Sequence, residues 1–194
     1  MNSRFKQRPL SWSQISSFEW SPDEWYERYI LNKRTPPTKE MLFGSMVGKK
    51  LEKDSNYFAE IPRSDIMEYE YNVVFNKIHM IGFSDTQSKD NKYIGEYKTG
   101  KKAWDQKRVD NHGQLTMYAL MNFIKNKVNP KDVEIELHWM PTEERGDFTI
   151  DFVQPPDFKT FKTKRTMADI LEFGLYINET VKLMDAYLEN NPLR

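Results

Sequence analysis

Cysteine is missing from all 194 residues. That absence excludes a disulfide framework, a thiol nucleophile, cysteine-ligated zinc and any iron–sulfur cluster. Long apolar runs are missing too, so no membrane span of about 18 residues is expected. Arg4, Lys6 and Arg8 have no apolar stretch behind them, which argues against a secretory signal and for a cytoplasmic protein. Net charge is nil, with 29 Lys and Arg against 29 Asp and Glu, a balance that argues weakly against a protein that coats nucleic acid. There is no phosphate-binding glycine loop, no Gly-x-Ser-x-Gly and no His-x-Glu.

What is present is a polar but aromatic chain. Charged residues make up 30% and mean hydropathy is −0.80, yet aromatics reach 14%, far from the composition of a disordered segment. The length suits a single domain over residues 1–194, large enough to bury a core without cross-links.

Periodicity sets out the elements. Ser11 or Ser13 is placed to cap a helix through Ile15 and Phe18, and Ser21-Pro22 breaks it and starts a second helix to about Leu31. After Pro36-Pro37, apolar positions at helical spacing predict a helix over Lys39–Lys53. The period then changes: Tyr69–Phe75, Ile78–Ser84 and Lys92–Lys98 read as strands, the first two joined by a tight Asn76-Lys77 turn. Asp110–Val128 reads as a helix, Val133–Met140 and Phe148–Val153 as strands, Pro155 to Arg165 as a basic loop, and Thr166–Glu189 as a final helix. The expected class is α/β or α+β around one sheet.

The chemistry cannot be found by acid-x-Lys alone: chance gives about three such pairs at this charge content, and the chain has Asp90/Lys92, Glu96/Lys98, Asp105/Lys107 and Asp157/Lys159. Only Glu96-Tyr97-Lys98 ends a strand-like run, with Glu96 and Lys98 on one face. The preceding strand ends at Ser84-Asp85, which brings a second carboxylate to a strand terminus. Two carboxylates and a main-chain carbonyl suit Mg²⁺ or Mn²⁺, and an adjacent lysine can orient water and offset charge on phosphate. A surface Glu–Lys pair is the plain alternative.

Beyond the strand, Lys101, Lys102, Lys107 and Arg108 surround Trp104, a mixture suited to phosphate contact and base stacking, or else to a solvated loop. Lys159 to Arg165 forms a second basic stretch, while Glu60–Glu70 and Asp132–Asp151 are acid-rich. Gln114 and Tyr118 share a helix face. His79 lies about 20 Å along the strand from Asp85, His138 falls on a polar face with Glu134 and Glu136 and reads as a surface position, and His112 has no assigned role.

Taken in order, these motifs resemble the PD-(D/E)XK nuclease superfamily, specifically its RecB-like exonuclease branch. The resemblance rests on Leu10-Ser11-Trp12-Ser13-Gln14-Ile15 through Tyr26 and Tyr29, Phe43 to Glu52, Gly82 to Asp85, Glu96 to Gly100, and Gln114-x-x-x-Tyr118. It implies a restriction-endonuclease-like αβββαβ core, a central mixed sheet flanked by helices. It implies a divalent-metal-dependent DNA exonuclease of recombination, repair or phage DNA processing. Asp85, Glu96 and the Tyr97 carbonyl would hold the metal, Lys98 would position water, and Gln114 and Tyr118 would touch substrate. Lys101, Lys102 and Trp104 extend the expected DNA contact.

The chain departs from the family pattern twice. Gly48 stands where the first motif often has a histidine, and Glu52, on the face marked by Gly44 and Gly48, is the expected substitute ligand. Ser21 stands where cluster-bearing relatives have cysteine, so a cluster-free member is expected. A homo-oligomer, or a recombination or replication protein partner, is compatible with this reading, as is the host cytoplasm for a phage-encoded protein. The alternatives are a non-catalytic nucleic-acid-binding or scaffold module, and an unrelated α+β fold with Asp85 and Glu96 more than about 8 Å apart.

Overall fold

A computed structural model describes residues 8–33, 35–54, 56–146 and 149–192. Helix α1 (Trp12–Trp20) buries Gln14, Ile15 and Phe18. Its successor α2 (Pro22–Trp25) starts on Pro22 and is capped by Ser21, whose hydroxyl accepts from the Glu24 N–H at 3.2 Å; it then widens by one π turn over Tyr26–Ile30. Thr38 caps α3 (Lys39–Lys53) in the same way, through the Met41 N–H.

Strands β1 (Ile66–Phe75) and β2 (Ile78–Gln87) form a hairpin. Asn76 and Lys77 both take positive φ, 46° and 68°, the left-handed pair that matches the twist of a two-residue turn. β3 (Tyr93–Gly100) runs antiparallel to β2. A crossover through α4 (Gln106–Asp110) and α5 (Gly113–Asn126) then returns the chain to β4 (Glu134–Glu144), parallel to β3. β5 (Ile150–Phe152) and β6 (Lys159–Thr163) both pair antiparallel with β4, along its upper and lower halves. α6 (Met167–Asn190) opens with a reciprocal Thr166–Asp169 capping box. The result is a mixed α/β fold with a central mixed sheet flanked by helices.

Alternation along β3 divides two cores. Ile94 packs with α5 residues Leu115, Met117 and Tyr118 in the main cluster, while Tyr97 packs with Val47, Leu51, Met140 and Phe152 under α3. Close approach between α5 and β2 requires Gly82: a Cβ there would lie 2.5 Å from Met121 Cε and 3.2 Å from Tyr118 Cε1.

Three expectations need correction. The basic loop from Pro155 to Arg165 contains β6, an edge strand whose polarity disguises it. The helix expected over Asp110–Val128 is α5, trimmed to Gly113–Asn126, and a separate short helix, α4, precedes it and ends at Asp110. His138 is not a surface residue: β6 covers it to 2% exposure, and it contacts Thr160 Oγ1 at 2.9 Å, the Tyr93 hydroxyl at 3.1 Å and Glu136 at 3.4 Å. Burial pushes its pKa down to about 4, although Glu136 pulls the other way. Phe148, the expected start of β5, lies outside the described residues. Among the described residues, no helix is long and apolar enough to cross a membrane.

Candidate active site

The site lies where the sheet comes apart. The β2–β3 ladder runs through Gln87↔Ile94 and Thr86↔Gly95 and then stops, so the next opposed residues are Asp85 and Glu96. On the other side of β2, the β1 ladder skips the pair Glu68/Asp85, and Glu68 takes a left-handed φ of 50°, a local strain that frees β2 from both neighbours at Asp85. The side chain captures what the ladder gives up: the Tyr97 N–H donates to Asp85 Oδ2 at 2.6 Å.

Glu96 is 3% exposed. Its Oε1 accepts from Lys98 Nζ at 2.5 Å and Gln114 Nε2 at 2.9 Å, and Lys98 Nζ also donates to Gln114 Oε1 at 2.9 Å. Gln114 Nε2 reaches the Tyr118 hydroxyl at 2.7 Å, which in turn donates to the Phe83 carbonyl. α5 thereby touches both β2 and β3 at the point where they separate.

Electrostatics follow from this crowding. Desolvation raises the Asp85 pKa well above the usual carboxylate range, and Glu96 raises it further, against the Tyr97 N–H and Lys98. Burial works to lower the Lys98 pKa, but Glu96 and Asp85 outweigh it and leave it raised, so Lys98 is a cation.

Glu96 Oε2 is buried without a hydrogen-bond partner. An orphaned carboxylate oxygen beside a second, electrostatically opposed carboxylate is the donor set that a hard divalent cation satisfies. No group of three acidic or histidine side chains among the described residues could hold an ion. Any hard divalent ion here would have the two carboxylates as its only acidic side-chain ligands, with water or substrate oxygens left to complete the shell.

A cleft of about 450 Å³ opens onto Asp85, lined by Glu40, Gly44 and Gly48 of α3 and by Asp85, Tyr97 and Lys98, with Glu96 buried behind it. A Cβ on Gly48 would meet nothing within 4 Å, and one on Gly44 would lie 3.0 Å from Thr99 Oγ1.

The structure brings Asp85, Glu96, Tyr97, Lys98, Gln114 and Tyr118 together, but several expected roles shift. Glu52 is exposed and outside the cleft lining. Each four-residue step along a helix drifts by about 40°, so the face that presents Glu40, Gly44 and Gly48 has rotated away by Glu52. Tyr118 is 3% exposed and stacks on Tyr71, so it supports Gln114 rather than reaching a substrate. Trp104 has its face covered by the Arg108 guanidinium, 3.6 Å from the ring centroid, and lies edge-on to His112; it is not a free stacking platform. Lys102 is exposed, and Lys101 binds Glu144 at 3.0 Å.

Sequence reasoning missed Glu40, His112 and the Phe83 carbonyl. His112 packs between Trp12 and Trp104, and burial, reinforced by the charges of Lys98 and Arg108, lowers its pKa to about 4. The helical spacing of Glu40 with Gly44 and Gly48 was the one available signal for Glu40.

No protein-family model matches the chain, and no curated protein sequence does. Among solved structures, the chain superposes on the crystal structure of a candidate exonuclease from Eubacterium rectale. The TM-score is 0.61 at 11% identity, over 96% of this chain and 86% of that one. The chain has that exonuclease-like fold. LHK-Exo, crystallised in complex with dAMP, aligns over 98% of this chain and 95% of its own, with a TM-score of 0.49 and 10% identity.

Proposed function

We propose that this exonuclease-like fold carries a divalent-metal-dependent deoxyribonuclease that hydrolyses DNA phosphodiesters as an exonuclease, in recombination, repair or phage DNA processing. The observation that supports it above all is the unpartnered, buried Glu96 Oε2 beside Asp85, with Lys98 held against them. Two acids driven together at a released strand end, with a cation beside them and an open cleft above, suit phosphate chemistry better than structural support.

Asp85, Glu96 and the Tyr97 carbonyl would hold Mg²⁺ or Mn²⁺, which supplies Lewis-acid polarisation of a phosphate oxygen and a more acidic water. Hydrolysis forms a new P–O bond from water as the bond to the leaving sugar oxygen breaks. Lys98 stays protonated, so it acts as a fixed cation that steadies charge growing on the phosphate oxygens and orients the attacking water. Gln114 fixes Lys98 and Glu96 relative to each other, and Tyr118 fixes Gln114. Gly44 and Gly48 leave the space that a substrate backbone needs.

The test is degradation of end-labelled DNA with Mg²⁺, with Mn²⁺ and with EDTA, beside Lys98→Ala. The expected result is metal-dependent loss of label and a fall of about 100-fold or more in the variant. Equal activity in wild type and variant would overturn the proposal. Salt-sensitive, metal-independent binding without cleavage would support the non-catalytic reading instead, which the bare Gly48 position favours.

A further inference from the structure

Outside the acid pair, a second charged feature lies next to the segments that line the cleft. Glu144, at the end of β4, spends both carboxylate oxygens on lysines from two other elements. Oε1 accepts from Lys39, in the first turn of α3, and Oε2 accepts from Lys101, just after β3, at 3.0 Å. Both lysines belong to segments that line the cleft: Glu40 follows Lys39, and Thr99 lies two residues before Lys101. The charge of Lys101 also reaches Glu40, which places the β3 exit beside the α3 entry.

All three side chains remain substantially exposed, at 45% for Lys39, 49% for Lys101 and 33% for Glu144. Exposed pairs of this kind contribute only about 0–1 kcal/mol, so the bridge exchanges readily for another anion. A carboxylate that offers one oxygen to each of two ammonium groups has the donor demand of a phosphodiester, which offers two anionic oxygens and is bound by lysine as a point charge. By strand rise, Lys101 lies about 10 Å beyond Lys98, a few nucleotides' rise along a strand.

We infer that Lys39 and Lys101 form a backbone-phosphate subsite beside the cleft, in which Glu144 occupies the phosphate position until DNA displaces it. The inference deepens the nuclease reading and rests on it for the identity of the polyanion. It assigns Glu144 a direction of effect opposite to that of its two partners. A bridge that served only to tie α3 to β4 would give all three residues the same direction.

The experiment is fluorescence anisotropy of a short fluorescein-labelled DNA, single-stranded and duplex, titrated in EDTA at several salt concentrations, with thermal unfolding run alongside. Glu144→Gln is expected to tighten binding about 3- to 10-fold. Lys39→Gln and Lys101→Gln are each expected to weaken it by a similar factor, uniformly across sequences, and to reduce the salt slope by about one. Weaker or unchanged binding in a folded Glu144→Gln protein overturns the inference. If that variant does not fold, the two lysine variants decide: unchanged affinity and salt slope in both overturns it, and the expected losses support it. Because the assay contains no metal, its result is separable from cleavage. Opposed signs without nuclease activity support the subsite while the catalytic reading fails, and cleavage without opposed signs sinks the subsite alone.

Discussion

Two stretches of this chain carry similar basic character, Lys98 to Arg108 and Lys159 to Arg165, and the fold uses them in opposite ways. The first leaves the end of β3 and stays at the cleft. Lys98 sits on the acid pair, and Lys101 reaches Glu144 beside the cleft. The second, apart from the exposed Lys164, is absorbed by the protein itself. Lys162 pairs with Glu134 at 2.9 Å and Glu136 at 2.8 Å, and Lys159 with Asp157 at 3.2 Å. Arg165, 3% exposed, donates to Thr116 Oγ1, Thr163 Oγ1 and the Lys164 and Val109 carbonyls. Both stretches meet carboxylates, but the first does so beside the cleft and the second along β4 and the β6 edge.

The sharpest way to break that comparison is at Arg165. Arg165→Ala removes a buried guanidinium and strands several acceptors, and is expected to cost about 3–5 kcal/mol of stability in urea unfolding, since hydrogen bonds to charged groups are individually worth about 1.5–3 kcal/mol. At a temperature where the variant is folded, its DNA affinity should match wild type. A folded variant with weakened binding would place the second stretch on the substrate surface after all.

A smaller effect separates the regions by acid. His112 beside the first stretch and His138 under the second both have pKa values lowered from 6.5 to about 4 by burial. Between those values the unfolded chain binds more protons than the folded one, so their contribution is present in full above about pH 6.5 and is lost as pH falls toward 4. Each loss is on the order of 2–3 kcal/mol. Urea unfolding at pH 7 and pH 5 checks this, and replacing His138 by Gln should flatten part of the slope. A slope unchanged by that replacement would show that His138 is not held neutral. The smallest effect is at Lys159: Lys159→Ala should change stability by about 0.5 kcal/mol or less and leave DNA affinity unchanged.

Legibility in the sequence followed the range of the interactions. The Asn76-Lys77 hairpin, the helix start at Pro22 and the strand bearing Glu96 and Lys98 are local, and each is readable from a few neighbouring residues, whereas the cap expected at Ser11 or Ser13 is not made by the Ser11 side chain. β6 was not, because an edge strand of Lys-Thr-Phe-Lys-Thr acquires its identity from β4, far away in the chain. The same pairing is what buries His138. At the site, the convergence of Asp85 and Glu96 was readable from strand ends, but the role of Tyr118 depended on Tyr71, which stacks on it from β1, and on the Phe83 carbonyl of β2, which accepts from its hydroxyl. The helix phase that carries Glu52 away from the cleft was available in outline. Spacing by four gave the right face for Gly44 and Gly48, but the drift accumulated over the next turn.

The early end of the β2–β3 ladder has a mechanical consequence. Two halves of the sheet, the β1–β2 hairpin and the β3–β4 half, meet along a seam with few backbone stitches, and the two carboxylates stand on opposite banks of it. Two ties cross the seam: the Tyr97 N–H bond to Asp85, and α5, which rivets the banks through Tyr118 to the Phe83 carbonyl and through Gln114 to Glu96 and Lys98. The distance between the two acids is thus held by side chains, where an unbroken ladder would have held it by backbone.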